Sequence, residues 1–386
     1  MKVPAAHDRV LAALENREGD RVPVMDMMVE FANIYEILGK RKLKLAPLIS
    51  NPYIARVMDF AGAHAFTTLP LDFAMDGFTY DRTAASVKMG YDCAWVGHVP
   101  IWMSGDSRSM VDIYGRRWEY TFDGRGNLGT PMYVGGVIDG PAAWRAWDKG
   151  DIFKLPAKNN RAYARCQKDF GEELYIMGGF SGGLYEVVWQ SMGFERFVLC
   201  TRKEKAFLHR MIDFYTDLYC VILEAMADAG LPAAIYSDDL AYRSGPMLNP
   251  RTLEEFFGDG HRRITETAHS LGMKIVIHSC GNVYDLIGWF ADSGFDGVHA
   301  LEPTAGVELA RAKEIAAGRI CLLGNIDVTH ILVDASRDEV FEAVRKAIED
   351  AGSGSGYIVA PTNSHPQMSV QRLRWMIEAT REYGAH

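Results

Sequence analysis

Three absences bound what this chain can be. Nowhere do about 18 apolar residues follow one another, so the sequence predicts no membrane-spanning helix. No run of Lys and Arg exceeds the short Lys40-Arg41-Lys42-Lys44 patch, and 50 acidic against 41 basic residues leave a net charge of −9. That balance excludes the basic footprint of a nucleic-acid binder. The cysteines (Cys93, Cys166, Cys200, Cys220, Cys280 and Cys321) have no paired spacing, which argues against a disulfide framework. The start, Met1-Lys2-Val3-Pro4-Ala5-Ala6-His7-Asp8, turns charged before the apolar core of a signal peptide can form, and a cytoplasmic protein is expected. Internal repeats are missing too, and the low-complexity Gly352-Ser-Gly-Ser-Gly356 is short enough to be a loop. Residues 1–386 therefore read as one domain.

What is present is ample apolar mass: 48% of the 386 residues are hydrophobic and 24% charged, enough for a large core. From Leu174 onward one theme repeats, a short apolar run ending in small or polar residues and followed by an amphipathic stretch. The runs are residues 174–178, 233–237, 274–278, 297–301, 320–324 and 357–360. With 22–25 and 65–69 they make eight candidate strands, the number that closes a (β/α)8 TIM barrel. Ser336-Arg-Asp-Glu339 reads as a capping box before an amphipathic helix, and Asn249-Pro250 opens another. Near residues 80–140 the helical pattern fails and alternating runs around Gly-rich turns predict an antiparallel β insertion. A doubly wound open sheet is the competing architecture.

In a barrel of parallel strands the active site lies at the C-terminal strand ends. Those ends are polar here: Asp238 and Asp239, His278 with Cys280, Glu302, Asn325 with Asp327, and Thr362-Asn363-Ser364-His365. A His and a Cys two apart in an extended segment point the same way, so an imidazole nitrogen and a thiolate could both reach one Zn(II). The plainer alternative is a hydrogen-bonded core His beside a small apolar Cys. Further ligands would come from Glu186, Asp238 or Asp239, although either Asp could equally cap the turn that follows it. Tyr236, Asn363 and His365 are candidate substrate contacts. Cys321 reads as a core thiol, and His299 and His330 as structural.

The ordered string Asp20-Arg-Val-Pro-Val24, Met110-Val-Asp-Ile-Tyr-Gly-Arg-Arg-Trp118, Asp238-Asp-Leu240, Gly245-Pro-Met-Leu-Asn-Pro250, His278-Ser-Cys-Gly281, Leu323-Gly-Asn-Ile-Asp327 and Gly356-Tyr-Ile-Val-Ala-Pro361 resembles the uroporphyrinogen decarboxylase superfamily. The resemblance implies a (β/α)8 barrel. The decarboxylases of that superfamily hold an acidic tetrapyrrole with an Arg on the first strand, whereas Pro23-Val-Met-Asp-Met-Met-Val-Glu30 contains none. The chain is more similar to the cobalamin-dependent methyltransferase branch, whose zinc motif is His-x-Cys and then a distant Cys. His278 and Cys280 match the first two positions; Pro361-Thr-Asn-Ser-His365 offers no thiol for the third, and Glu186 is the expected replacement.

Exchanging a thiolate for a carboxylate hardens the zinc toward oxygen. The resemblance thus implies a zinc-dependent O-demethylase-type methyltransferase: a methyl ether, expected to be a methoxylated aromatic, would give its methyl to the Co(I) of a corrinoid on a separate protein. Asp238 or Asp239 would serve as the catalytic acid. No Asp-x-His-x-x-Gly corrinoid-binding motif is present, so the corrinoid is expected from a partner. Competing readings are transfer from a methylcorrinoid to tetrahydrofolate or a thiol, a uroporphyrinogen-type decarboxylase, and a non-catalytic binding barrel. Monomer and homodimer are both left open.

Overall fold

The computed structural model describes residues 6–40, 71–96, 102–105, 109–119, 131–147, 149, 152–154, 156–180, 182–352, 355–365 and 367–385. Eight strands run parallel in hydrogen-bonded succession: β1 (Met25–Asp26), β2 (Cys93–Val96), β7 (Tyr175–Gly179), β8 (Ala233–Ser237), β11 (Lys274–Ser279), β12 (Gly297–Ala300), β13 (Cys321–Ile326) and β14 (Tyr357–Pro361). Val359 N–H donates to the Pro23 carbonyl (2.9 Å), and a parallel bridge pairs Val24 with Val359. The last strand thereby meets the first, which closes a (β/α)8 barrel and excludes the open doubly wound sheet. Between β2 and β7 lies the antiparallel sheet of β3 (Trp102–Gly105), β4 (Ser109–Asp112), β5 (Arg116–Glu119) and β6 (Met132–Gly136). A two-stranded hairpin, β9 (Ala241–Tyr242) and β10 (Gly245–Pro246), follows β8.

Side-chain alternation sorts each stave into two faces. Met25, Cys93, Met177, Ile235, Val276 and Leu323 share one buried cluster inside the barrel, joined by Val10 and Leu14 of the helix Ala6–Leu14. The intervening residues, such as Ile275, Ile277 and Val298, face outward to the helices. The core thiol reading of Cys321 is correct: it is fully buried within the inner cluster.

Two expectations are revised. The candidate strand at residues 65–69 lies outside the described residues, and the second stave is Cys93–Val96. The helix Leu71–Met89 also extends well past residue 80, so the antiparallel region starts later than expected. Its buried face is polar: Thr83 Oγ1 donates to Thr79 O and Ser86 Oγ to Arg82 O, which satisfies hydroxyls in the core. That face erases the apolar period by which a helix is read. The capping box at Ser336 and Glu339 is formed as expected. Among the described residues no helix is long and apolar enough to cross a membrane.

Candidate functional site

The inward register of β11 fixes the centre of the site. Val276 faces the barrel interior, so His278 does too, and Cys280 follows two residues later. The chain then turns at Gly281 with φ +88°, where an added Cβ would stand 2.7 Å from the Ala241 carbonyl oxygen. Only glycine fits that turn.

The same alternation separates the neighbouring aspartates. On β8, Ala233 and Ile235 point inward and Tyr236 outward. Asp238 therefore faces away from the barrel axis and is fully buried. Its carboxylate accepts hydrogen bonds from Tyr185 N–H (3.1 Å) and Glu186 N–H (2.9 Å), at the start of the helix Leu184–Met192, and lies 3.3 Å from His261 Nε2. Expected from the sequence as a catalytic acid, it is placed here as an anchor for that helix. Tyr236, expected to contact substrate, is fully buried among core aromatics; its hydroxyl accepts from Leu184 N–H. Asp239 turns inward and accepts from Cys280 N–H (2.8 Å).

Asp239, His278 and Cys280 each bring a ligand atom to within 4.8 Å of the others. Cys280 Sγ is 3.5 Å from His278 Nε2, and Asp239 Oδ1 is 3.8 Å from the same nitrogen. Zinc bonds of about 2.3 Å to sulfur and about 2.0 Å to nitrogen place two tetrahedral ligands about 3.5 Å apart. The sulfur and nitrogen already stand on such an edge. Asn363 Nδ2 donates to Cys280 Sγ (3.2 Å), which places the predicted Asn363 at the cluster. His365 stands apart; its Nδ1 accepts from Gln367 N–H (3.3 Å) on the loop.

A cavity of about 350 Å3 opens beside the cluster. Glu186, Asp239 and Glu302 supply three carboxyls, Cys280 the thiol, Trp189, Tyr242 and Met247 an apolar wall, and Arg243 a guanidinium. Glu186 thus faces the site, but Asp239 is the carboxyl that stands with the His278 and Cys280 pair. Sequence reasoning gave Glu302, Trp189 and Arg243 no role. Glu302 lies two residues past the end of β12 and accepts from Gly281 N–H (2.9 Å), so its place just after a strand was the available signal.

The electrostatics favour a cation. Burial pushes His278 down to about 4, leaving a neutral imidazole near neutral pH. Burial, then Asp239, Glu302 and Glu186, push the Cys280 thiol up. Burial, then Asp239 and Asp238, push Glu186 well above the usual carboxyl range. A thiol and three carboxyls facing one guanidinium are short of positive charge, and a divalent ion at the cluster would relieve the deficit. The donor set, one imidazole, one sulfur and one carboxyl, fits Zn(II).

Glu186 is held from behind. The buried Arg116 of β5 donates through its Nη1 to Gln190 Oε1 (3.0 Å), and Gln190 Nε2 donates to Glu186 Oε1 (3.2 Å). Arg116 is itself paired with Asp112 (2.7 Å). The insertion is thereby tied to the wall of the cavity. His299, expected to be merely structural, is in direct contact with the site: its Nδ1 lies 2.7 Å from His278 Nδ1.

Residues 161–383 match the family model described as uroporphyrinogen decarboxylase (URO-D). A methylcobamide:CoM methyltransferase MtaA of Methanosarcina barkeri is 24% identical over 216 residues, 56% of this chain and 60% of that protein. A uroporphyrinogen decarboxylase of Dichelobacter nodosus is 29% identical over 171 residues, 43% of this chain and 46% of that one. The chain thus spans at most about 60% of the length of these curated relatives. A solved methyltransferase from Methanosarcina mazei superposes with a TM-score of 0.70 at 17% identity, covering 98% of this chain and 99% of that one, a likeness of fold.

Proposed function

Because the chain belongs to the uroporphyrinogen decarboxylase family, and because its strand ends converge on an acidic His–Cys–Asp cluster, we propose that it is a methyltransferase working with a corrinoid carried by a separate protein. The methyl donor in this reading is a methyl ether of the methoxylated aromatic class, and the acceptor is Co(I) of the partner's corrinoid. The kinship to the cobalamin-dependent branch is supported by the methylcobamide methyltransferase among its relatives. The observation that carries the proposal is the 3.5 Å approach of Cys280 Sγ to His278 Nε2 with Asp239 beside them.

His278, Cys280 and Asp239 would hold Zn(II). The ion, when bound, supplies Lewis-acid stabilisation of negative charge developing on the leaving atom. The chain's own groups do the rest. Glu186, kept protonated by burial and by the neighbouring aspartates, holds a proton at the cavity wall for the departing oxygen. Trp189 and Tyr242 line the cavity with aromatic surface suited to an aromatic ring, and Asn363 steadies the Cys280 sulfur. The described lining of the cavity offers one cation, Arg243, to a tetrapyrrole bearing many carboxylates, which disfavours a decarboxylase of such substrates. Transfer toward a thiol, the activity in the Methanosarcina barkeri relative's name, is the second reading.

The test mixes the purified protein with a corrinoid protein reduced to Co(I) and a panel of methoxybenzoates, following methyl-cobalt absorbance. Formation of methyl-cobalt with an aromatic ether supports the donor class. Transfer only from methyl-cobalt to an added thiol moves the protein to the second reading.

A further inference from the structure

We infer that His299 is a positioning residue that fixes the tautomer of His278, so that the free lone pair of His278 is carried on Nε2, toward Cys280 and Asp239. This deepens, and rests on, the metal-binding reading above. The inference follows from counting donors. A backbone carbonyl only accepts, so the 3.0 Å contact between His299 Nε2 and the Pro361 oxygen requires the His299 proton on Nε2. A neutral imidazole carries one N–H, which leaves a lone pair on His299 Nδ1. The two Nδ1 atoms are 2.7 Å apart, a distance that needs one proton between them, and that proton must belong to His278. His278 Nε2 is then unprotonated, facing the sulfur at 3.5 Å and the Asp239 carboxyl at 3.8 Å. The opposite tautomer would set two lone pairs against each other at the Nδ1 contact.

The device is built into the barrel. The parallel register pairs His278 of β11 with His299 of β12, both on the inward face, and the accepting carbonyl belongs to the last residue of β14. Both rings are buried, which disfavours the doubly protonated cation that would reverse the order of donation. A ligating imidazole whose other nitrogen donates to a fixed acceptor keeps both its orientation and its basicity. Here that acceptor is a second imidazole, oriented in turn by the backbone.

Two measurements test this. The first is ring-nitrogen NMR of the metal-free protein labelled with 15N-histidine, with His278→Ala and His299→Phe used for assignment. The expected spectrum has His278 protonated on Nδ1 and bare on Nε2, with the reverse in His299; a proton on His278 Nε2 would overturn the inference. The second is zinc affinity by competition with a chromophoric chelator. His299→Phe, which keeps the shape and loses the acceptor, should bind zinc about 10–100-fold more weakly. His299→Asn, whose amide oxygen can take the place of Nδ1, should recover most of that loss. Equal zinc affinity in wild type and a folded His299→Phe would refute the role. Should the Phe variant not fold, the wild-type spectrum decides alone; and should the wild type bind no zinc, the function proposal falls while the spectrum still decides the tautomer.

Discussion

Asp238 and Asp239 are adjacent in sequence, and opposite consequences are predicted for removing them. The Asp238 carboxylate satisfies two backbone amides at the start of the helix Leu184–Met192, at 3.1 and 2.9 Å, in a fully buried setting. Asp238→Ala leaves both amides without an acceptor, and each buried orphan donor costs about 1–3 kcal/mol, so the loss of stability should be about 4 kcal/mol. Asp238→Asn keeps one acceptor oxygen and should lose roughly half as much. Asp239 is half-buried and accepts one amide, from Cys280, so Asp239→Ala should cost only about 1 kcal/mol. It should, however, abolish tight zinc binding. Urea unfolding followed by the fluorescence of the eight tryptophans, with zinc per folded chain measured in parallel, separates the two. If Asp238→Ala unfolds at the wild-type midpoint, or Asp239→Ala retains full zinc, the assignment of outward and inward carboxyls is wrong.

Asp26, buried at the end of β1 and pushed up to about 7 mainly by burial, is predicted to make stability fall with rising pH. The folded state holds this proton more tightly than the unfolded chain, so the contribution is full below the unfolded value of 3.8 and is lost as pH rises through about 7, about 4 kcal/mol in all. Asp26→Asn should flatten that slope in urea midpoints measured from about pH 4 to about pH 8; an unchanged slope would count against it. Glu186→Gln should lower methyl transfer by about 10²–10⁴-fold while leaving zinc content intact, since Glu186 lines the cavity outside the His–Cys–Asp cluster. A variant of wild-type rate would remove Glu186 as the proton holder.

Much of the barrel is written in short buried runs, and most of its staves are legible as apolar segments ending in polar residues. Cys93–Val96 is not, because it follows a helix whose buried face carries Thr79, Thr83 and Ser86 and so shows no apolar period. The His278 and Cys280 pair is legible from alternation alone. Alternation applied to β8 would also have turned Tyr236 and Asp238 outward and Asp239 inward, since Ile235 is an evident core position. What no local pattern supplies is register between strands. The pairing of His278 with His299, and the reach of Arg116 through Gln190 to Glu186, join residues 21 to 74 positions apart.

The central claim is that one divalent ion is held by an imidazole, a sulfur and a carboxyl at the C-terminal mouth of the barrel. Elemental analysis of the purified wild type beside His278→Ala and Cys280→Ser tests it most directly. The account predicts one zinc per wild-type chain and its loss in both folded variants; equal zinc in all three, or none in any, would contradict it.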